Sequence, residues 1–244
     1  MISADQLTTI LRILKRVSLA VLVGFICAAP FASLRSSADE LPRALPAPTA
    51  DNTQAPGGLQ SAVLSGGCFW GMQAVFEHLK GVRQVLAGYS GGNAATAHYL
   101  VVSTGATGHA ESVEITFDPR EVSYGQILQV FFSVAHDPTE LNRQGPDEGS
   151  QYRSVIFYRN ASQRRIALAY IAQLERVHAF QHPIVTRVDA LVAFYPAEGY
   201  HQDFLVHNPS DPYIVYNDLP KLAAFREFLP QLYREQPSLL TARN

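Results

Sequence analysis

Hydrophobic and polar positions along this chain change period several times, and each change marks an element. Over Glu111–Phe117, Val113, Ile115 and Phe117 alternate with Ser112, Glu114 and Thr116, the period of two that belongs to a half-buried strand, and Asp118-Pro119 closes it. From Phe69 to Lys80 the apolar residues Met72, Val75, Phe76 and Leu79 fall at helical spacing. Ser61–Ser65 before that helix reads as a short strand, and Val82–Ala87 after it as another, closed by Gly88-Tyr89-Ser90-Gly91-Gly92. Ser123 and Gln126 have capping-box spacing and open a helix through Ile127, Leu128, Val130, Phe131 and Val134. A long loop rich in Gly, Pro and Asp runs from His136 to Ser150. Beyond it, Ser154–Tyr158 reads as a strand, Ser162–Val177 as a helix, and Ile184–Val188 with Ala190–Tyr195 as a hairpin. Asp218 is placed to cap a last short helix carrying Leu222, Phe225 and Phe228. Strands and helices mixed in this way imply an α+β domain, a two-layer sandwich around a mixed, largely antiparallel sheet.

The first residues follow other rules. Arg12, Lys15 and Arg16 precede an apolar run from Leu19 to Phe31, and Ser36-Ser37-Ala38 supplies small residues before Asp39. That is the layout of a secretory signal peptide over 1–38. The run is short for a span and is broken by Pro30, so export to a bacterial periplasm or beyond is expected, with a membrane-anchored form facing the periplasm as the alternative. Cys27 lies inside the run behind Gly24-Phe25-Ile26, which argues against a lipid-modified cysteine. Residues 39–59 are rich in Pro, Ala, Thr and Gly without an apolar period and read as a flexible linker. The remaining stretch, 60–244, has the size of one domain with a core of its own. A net charge of −2 without a basic block gives no footprint for nucleic acid or an anionic membrane surface.

Removal of the leader leaves Cys68 as the lone cysteine, in Gly66-Gly67-Cys68-Phe69-Trp70-Gly71. A thiol on a glycine turn between strand and helix sits at the helix N-terminus, where free N–H groups and the dipole favour a thiolate. A buried structural cysteine is the plainer reading of any single cysteine. The paired glycines before it, and the chain's one tryptophan two residues after, point instead to a nucleophile.

Several groups are placed to serve that thiol. Glu111 shares the parity of Val113, Ile115 and Phe117, so it faces the apolar side at the start of its strand, unless it lies just outside the sheet and is solvated. A carboxyl among apolar neighbours keeps its proton near neutral pH and can act as a general acid. Tyr99, Asp147 and Tyr152 fall in loops or where strands begin, and the phenols can donate to a polar substrate oxygen, although most of the 11 tyrosines will be packing residues. Eight histidines show no metal-ligand spacing; His98 with His109 is too loose, and His178 and His182 flank a helix end.

Taken together, these segments resemble one family, the A-type peptide methionine sulfoxide reductases. The resemblance rests on Gly67-Cys68-Phe69-Trp70-Gly71, Gly88-Tyr89-Ser90-Gly91-Gly92, Gly108-His109-Ala110-Glu111, Asn142-Arg143-Gln144-Gly145 and Gln151-Tyr152-Arg153-Ser154. It continues through Ala197-Glu198-Gly199-Tyr200-His201-Gln202-Asp203 to Asn217-Asp218-Leu219-Pro220-Lys221, covering nearly the whole domain in order. It implies that Cys68 attacks the sulfoxide sulfur and that Glu111 protonates the oxygen. It also implies that Tyr99 and Tyr152 hold that oxygen, that Asp147 orders the site, and that Phe69 and Trp70 form the apolar wall for the S-methyl group. His201 matches a position at the pocket edge. The implied reaction reduces methionine-S-sulfoxide, free or in proteins, through a Cys68 sulfenic acid. It uses no bound cofactor or metal, and draws on an external small thiol or a thioredoxin-like partner.

This chain departs from the family pattern at Pro146 before Asp147, at Ala97 before Tyr99, at Ala106 before Thr107, and in having no cysteine between Cys68 and Asn244. Two rival readings have distinct requirements. A cysteine hydrolase needs an imidazole within hydrogen-bond reach of Cys68. A module that only binds oxidised methionine needs no turnover, which intact Cys68 and Glu111 argue against.

Overall fold

The computed structural model describes residues 42–51 and 57–240. The leader expected over 1–38, with Cys27, lies outside these residues, as do 39–41 and 52–56 of the expected linker.

In chain order the elements are β1 (Gln60–Ser65), α1 (Phe69–Glu77), β2 (Val82–Ser90), the short α2 (Tyr99–Val102) and β3 (Ala110–Phe117). There follow α3 (Tyr124–Val130), the two-residue strands β4 (Arg143–Gln144) and β5 (Asp147–Glu148), β6 (Val155–Tyr158) and α4 (Ala161–Arg176). The last are β7 (Arg187–Ala190), β8 (Phe194–Pro196), α5 (Phe204–His207) and α6 (Leu219–Phe228). Six strands form one sheet in the order β7-β6-β1-β3-β2-β8; β4 and β5 pair separately across Gly145-Pro146. All neighbours in the large sheet are antiparallel except β6 and β7. The expected mixed, largely antiparallel α+β fold is the one observed.

Helices α1, α3 and α4 cover one face of the sheet. Leu64, Val113, Ile115, Phe117 and Ile156 from the strands meet Met72, Val75 and Phe76 of α1, Ile127 and Leu128 of α3, and Ile166 and Leu174 of α4, all 1% exposed or less. The parity read from the sequence therefore places the core correctly along β3. Ser123 caps α3 with a full capping box: its hydroxyl accepts from Gln126 N, and the Gln126 side chain accepts from Ser123 N.

Three expectations need correction. The hairpin over 184–195 does not form, because β7 lies on one edge of the sheet and β8 on the other. Only residues 191–193 separate them, and four residue steps reach at most about 14 Å. The sheet must therefore curl until its edges approach. Leu191 and Phe194 cross the inner face, where they cover Val63, Ala110, Val155 and Phe157. Alternation marks strands but does not choose their partners.

Asp218 does not cap α6; it has helical backbone angles and its side chain makes no cap. Its carboxylate instead pairs with Lys221 at 3.1 Å.

Finally, residues 42–51 of the expected linker are docked on the domain. Leu45 is 5% exposed, its carbonyl accepts from Gln129 Nε2 at 2.8 Å, and Tyr170 donates to the Pro46 carbonyl at 2.9 Å. Gln173 donates to Ala47 O and accepts from Thr49 N. Asp51 accepts from Ser123 Oγ and Gly125 N at the start of α3. Backbone N–H and C=O groups, the Asp51 carboxylate and one apolar anchor hold it, so no hydrophobic period announces it.

Candidate active site

The site begins at the turn between β1 and α1. Gly67 has φ +93°, a conformation disfavoured for residues with a Cβ, and a Cβ there would meet Gln144 Cγ at 2.5 Å. Glycine lets the chain reverse tightly beneath the Gln144 side chain, whose Oε1 and Nε2 bond Asp137 N and O at 2.8 and 3.0 Å. Cys68 then occupies the N-cap position of α1, buried and without a disulfide. The first turn holds a second tight contact: a Cβ on Gly71 would lie 2.0 Å from Asp218 Oδ1. Only glycine admits the Asp218–Lys221 pair against the helix carrying the nucleophile.

Glu111 meets this turn from β3. It is 2% exposed, and its Oε2 accepts from Phe69 N at 3.0 Å. Burial pushes its carboxyl up to about 8, with the Phe69 N–H pulling the other way and the Asp147 charge adding to the rise. The acid read from strand parity is therefore inside the fold, protonated at neutral pH, and attached to the residue that follows the thiol.

The thiol itself behaves differently from expectation. Burial first, then the charges of Glu111 and Asp218, raise Cys68 well above the usual thiol range, against a hydrogen bond from Trp70 N–H that lowers it. The helix end does favour the thiolate, but desolvation beside three carboxyls outweighs it. Helix position was legible in the sequence; the surroundings were not.

The remaining expected groups converge on the same place. Tyr99 opens α2 and Tyr152 ends a single turn at Ser150–Tyr152; burial raises both phenols, and both feel the charges of Glu111, Cys68 and Asp147. Asp147 starts β5 and accepts a short hydrogen bond from Tyr213. Burial raises its carboxyl, while Tyr213 and Lys221 oppose the rise.

Phe69 and Trp70 make the apolar wall. Phe69 is 1% exposed and lies 5.8 Å from the Tyr89 ring. Trp70 is half-buried, stacks on Phe204 at 3.7 Å, and meets Tyr213 edge-on at 6.0 Å. His201 sits deeper than the edge position expected, at 2% exposure. Its Nδ1 accepts the Trp70 indole N–H at 3.1 Å, and its ring lies 5.0 Å from Phe69 and 4.3 Å from Tyr99. Buried imidazoles elsewhere are engaged away from the sulfur: His136 by Phe131 O and Ser154 Oγ, His109 by Gly92 N and Asn93 O.

Four residues here were missed as functional candidates: Phe204, Tyr213, Asp218 and Lys221. The last two stood in a motif already noticed, Asn217-Asp218-Leu219-Pro220-Lys221, which carried the only available signal. Tyr213 precedes an irregular π-helical turn, Ile214–Asp218, where no period guides the eye. Among the described residues, no group of three or more His, Cys, Asp or Glu side chains could hold a metal ion, and no helix is long and apolar enough to cross a membrane.

A protein with a thiol, a protonated carboxyl and phenols facing an aromatic wall is equipped to bind an apolar group beside a strongly polar oxygen and to protonate that oxygen. The family model for peptide methionine sulfoxide reductase matches residues 60–232. A peptide methionine sulfoxide reductase MsrA 2 of Mesorhizobium japonicum is 57% identical over 195 residues, which cover 80% of this chain and 100% of the relative. The protein of the same name from Synechocystis sp. is 50% identical over 213 residues, covering 86% and 94%. Among solved structures, methionine sulfoxide reductase A of Corynebacterium diphtheriae superimposes with a TM-score of 0.54 at 30% identity, covering 71% of this chain and 90% of that one. Reduced Mxr1 from Saccharomyces cerevisiae gives 0.57 at 28% identity, covering 64% and 90%.

Proposed function

The chain belongs to the peptide methionine sulfoxide reductase family, and from that premise we propose how its own residues carry out the reduction. The enzyme is a thiol-dependent reductase of methionine sulfoxide. The observation that carries the mechanism is Glu111, buried and protonated at neutral pH, hydrogen-bonded to Phe69 N next to Cys68.

The S-methyl group of methionine-S-sulfoxide rests against Phe69 and Trp70, and the oxygen points to Tyr99, Tyr152 and Glu111. Cys68 Sγ attacks the sulfoxide sulfur while Glu111 gives its proton to the oxygen. The thiol's proton then restores Glu111, so a resting thiolate is not required. Attack joins Sγ to the substrate sulfur; as the hydroxyl passes from that sulfur to Sγ, this S–S bond and the former sulfoxide S–O bond break and an S–O bond to Cys68 forms. The substrate sulfur is reduced by two electrons to the thioether, and Cys68 is oxidised by two to a sulfenic acid. Asp147, held by Tyr213, keeps the polar side of the pocket in place. His201 holds the indole of Trp70.

Regeneration follows from cysteine usage. Cys68 and Cys27 are the chain's two cysteines, and Cys27 belongs to the segment read as a signal peptide. The mature domain over 60–244 therefore works as a one-cysteine enzyme. An external thiol, small or thioredoxin-like, attacks the sulfenic acid, releases water and leaves a mixed disulfide, which a second thiol resolves. Export places this activity in the periplasm or beyond it, where the substrates are oxidised methionines of exported proteins.

Oxidation of the mature protein with one equivalent of methionine-S-sulfoxide, followed by mass measurement, tests the scheme. A gain of one oxygen, trapped as one dimedone adduct on Cys68, is expected. A loss of two hydrogens to an internal bridge contradicts it.

A further inference from the structure

The side chain of Glu198 makes hydrogen bonds that reach two separate tyrosine-bearing elements of the pocket, and nothing in the reaction above uses it. It lies half-buried between β8 and the single turn Gly199–His201. Its Oε1 accepts from the backbone N–H of Tyr99 at 3.0 Å, at the first residue of α2. Its Oε2 accepts from the phenol of Tyr89 at 2.8 Å. Tyr89 is fully buried in β2, directly opposite Glu111 in the β2–β3 register, and its ring packs on Phe69. The backbone carbonyl of Glu198 accepts from His201 N at 3.0 Å, closing the turn that presents His201. His201 in turn packs against the Tyr99 ring at 4.3 Å.

Helix α2 has four residues, too short to hold itself in water, and Leu100, next to Tyr99, is 81% exposed. The orientation of the Tyr99 hydroxyl therefore depends on what grips the start of that turn. A carboxylate accepting an N–H at a helix start makes a charge-assisted bond, stronger than a neutral one. Its donors hold the Glu198 carboxyl below its usual range even though partial burial pushes the other way, so it stays ionised.

We infer that Glu198 is a positioning residue for the reduction: it ties the Tyr99 turn and the His201 turn to the Tyr89–Phe69 floor and thereby aims the Tyr99 hydroxyl at the sulfoxide oxygen. The inference rests on the reaction assigned above. Displacing a catalytic hydroxyl by an ångström lowers rate steeply, which sets the size of the effect.

The test is a double-mutant cycle on kcat/KM for methionine-S-sulfoxide, using Glu198→Ala, Tyr99→Phe and the combination. Thermal unfolding and the alkylation rate of Cys68 serve as controls for the fold and the thiol. Glu198→Ala alone is expected to lose on the order of tenfold to a hundredfold. In the Tyr99→Phe background the same change should cost less than about twofold, because the group it positions is gone. Glu198→Asp keeps the charge but draws it back by one methylene, so it cannot reach both donors. It should give an intermediate loss with the same dependence on Tyr99, and it decides the matter if the alanine variant lacks a native unfolding transition. Losses that multiply in the double variant, or a Glu198→Ala enzyme within twofold of wild type, overturn the assignment. A wild-type chain that does not reduce the sulfoxide at all sinks the underlying reaction instead, a result the cycle separates from the others.

Discussion

The proposed reaction turns on two neighbouring side chains that burial shifts in the same direction. Glu111 is pushed up to about 8 by burial, and Cys68 is raised by burial and by the carboxyls around it. In the proposed reaction Glu111 is the acid and must carry its proton, so the single-turnover rate of methionine formation should decline as pH rises through about 8. Glu111→Gln should slow that step on the order of a hundredfold to ten-thousandfold and remove the alkaline decline. An unchanged decline in the variant would assign it to another group. The same substitution removes a charge that raises Cys68, so alkylation of the thiol above that pH should quicken. Glu111 was legible because a strand has a strict period of two, and a carboxyl in phase with Val113, Ile115 and Phe117 has one side to face. Tyr213 and Asp218 were not, because the π-helical turn between them has no such rule and their partners, Asp147 and Gly71, are far away in sequence.

Elements with local signals formed where the sequence placed them: α3 behind its Ser123–Gln126 box, and α1 after a double glycine. Elements defined by distant partners did not. The pattern over 184–195 contains two strands, yet only the curl of the whole sheet decides that they occupy opposite edges. The docked stretch 42–51 is held in large part through backbone N–H and C=O groups, which leave no trace in side-chain identity. The β1–α1 turn combines both kinds of constraint, a backbone angle that asks for glycine and a Gln144 side chain that arrives from β4. Gly67→Ala should therefore destabilise the protein by about 1–3 kcal/mol from backbone strain. It should also lower activity more than the stability loss explains, since Cys68 is the next residue. Denaturant unfolding alongside steady-state rates checks this; a stable variant with full activity would show that the turn tolerates a Cβ.

At the scale of the whole molecule, the buried carboxyls of Glu77 and Glu111 tie stability to pH. Glu77, 1% exposed at the end of α1, is raised to about 9, first by burial and then by its hydrogen bond to Asp203. The folded form of Glu77, like that of Glu111, keeps its proton after the unfolded chain has lost it. This stabilisation is complete below the ordinary glutamate range and is lost as pH rises through about 8 to 9. His136 works on the other side: burial lowers it to about 3, so the fold resists a proton that the unfolded chain accepts, and stability falls in acid. Glu77→Gln should flatten the alkaline decline in Tm and leave the acid side unchanged; an unaltered alkaline slope would exclude Glu77 as its source. The central claim, that Cys68 takes the oxygen of one sulfoxide epimer with Glu111 as the acid, is met most directly by quench-flow single turnover on each epimer without added reductant. One methionine per Cys68 from the S epimer, almost none from the R epimer, and none from Cys68→Ser is the result predicted. Methionine formed by Cys68→Ser, or equal rates for both epimers, would contradict it.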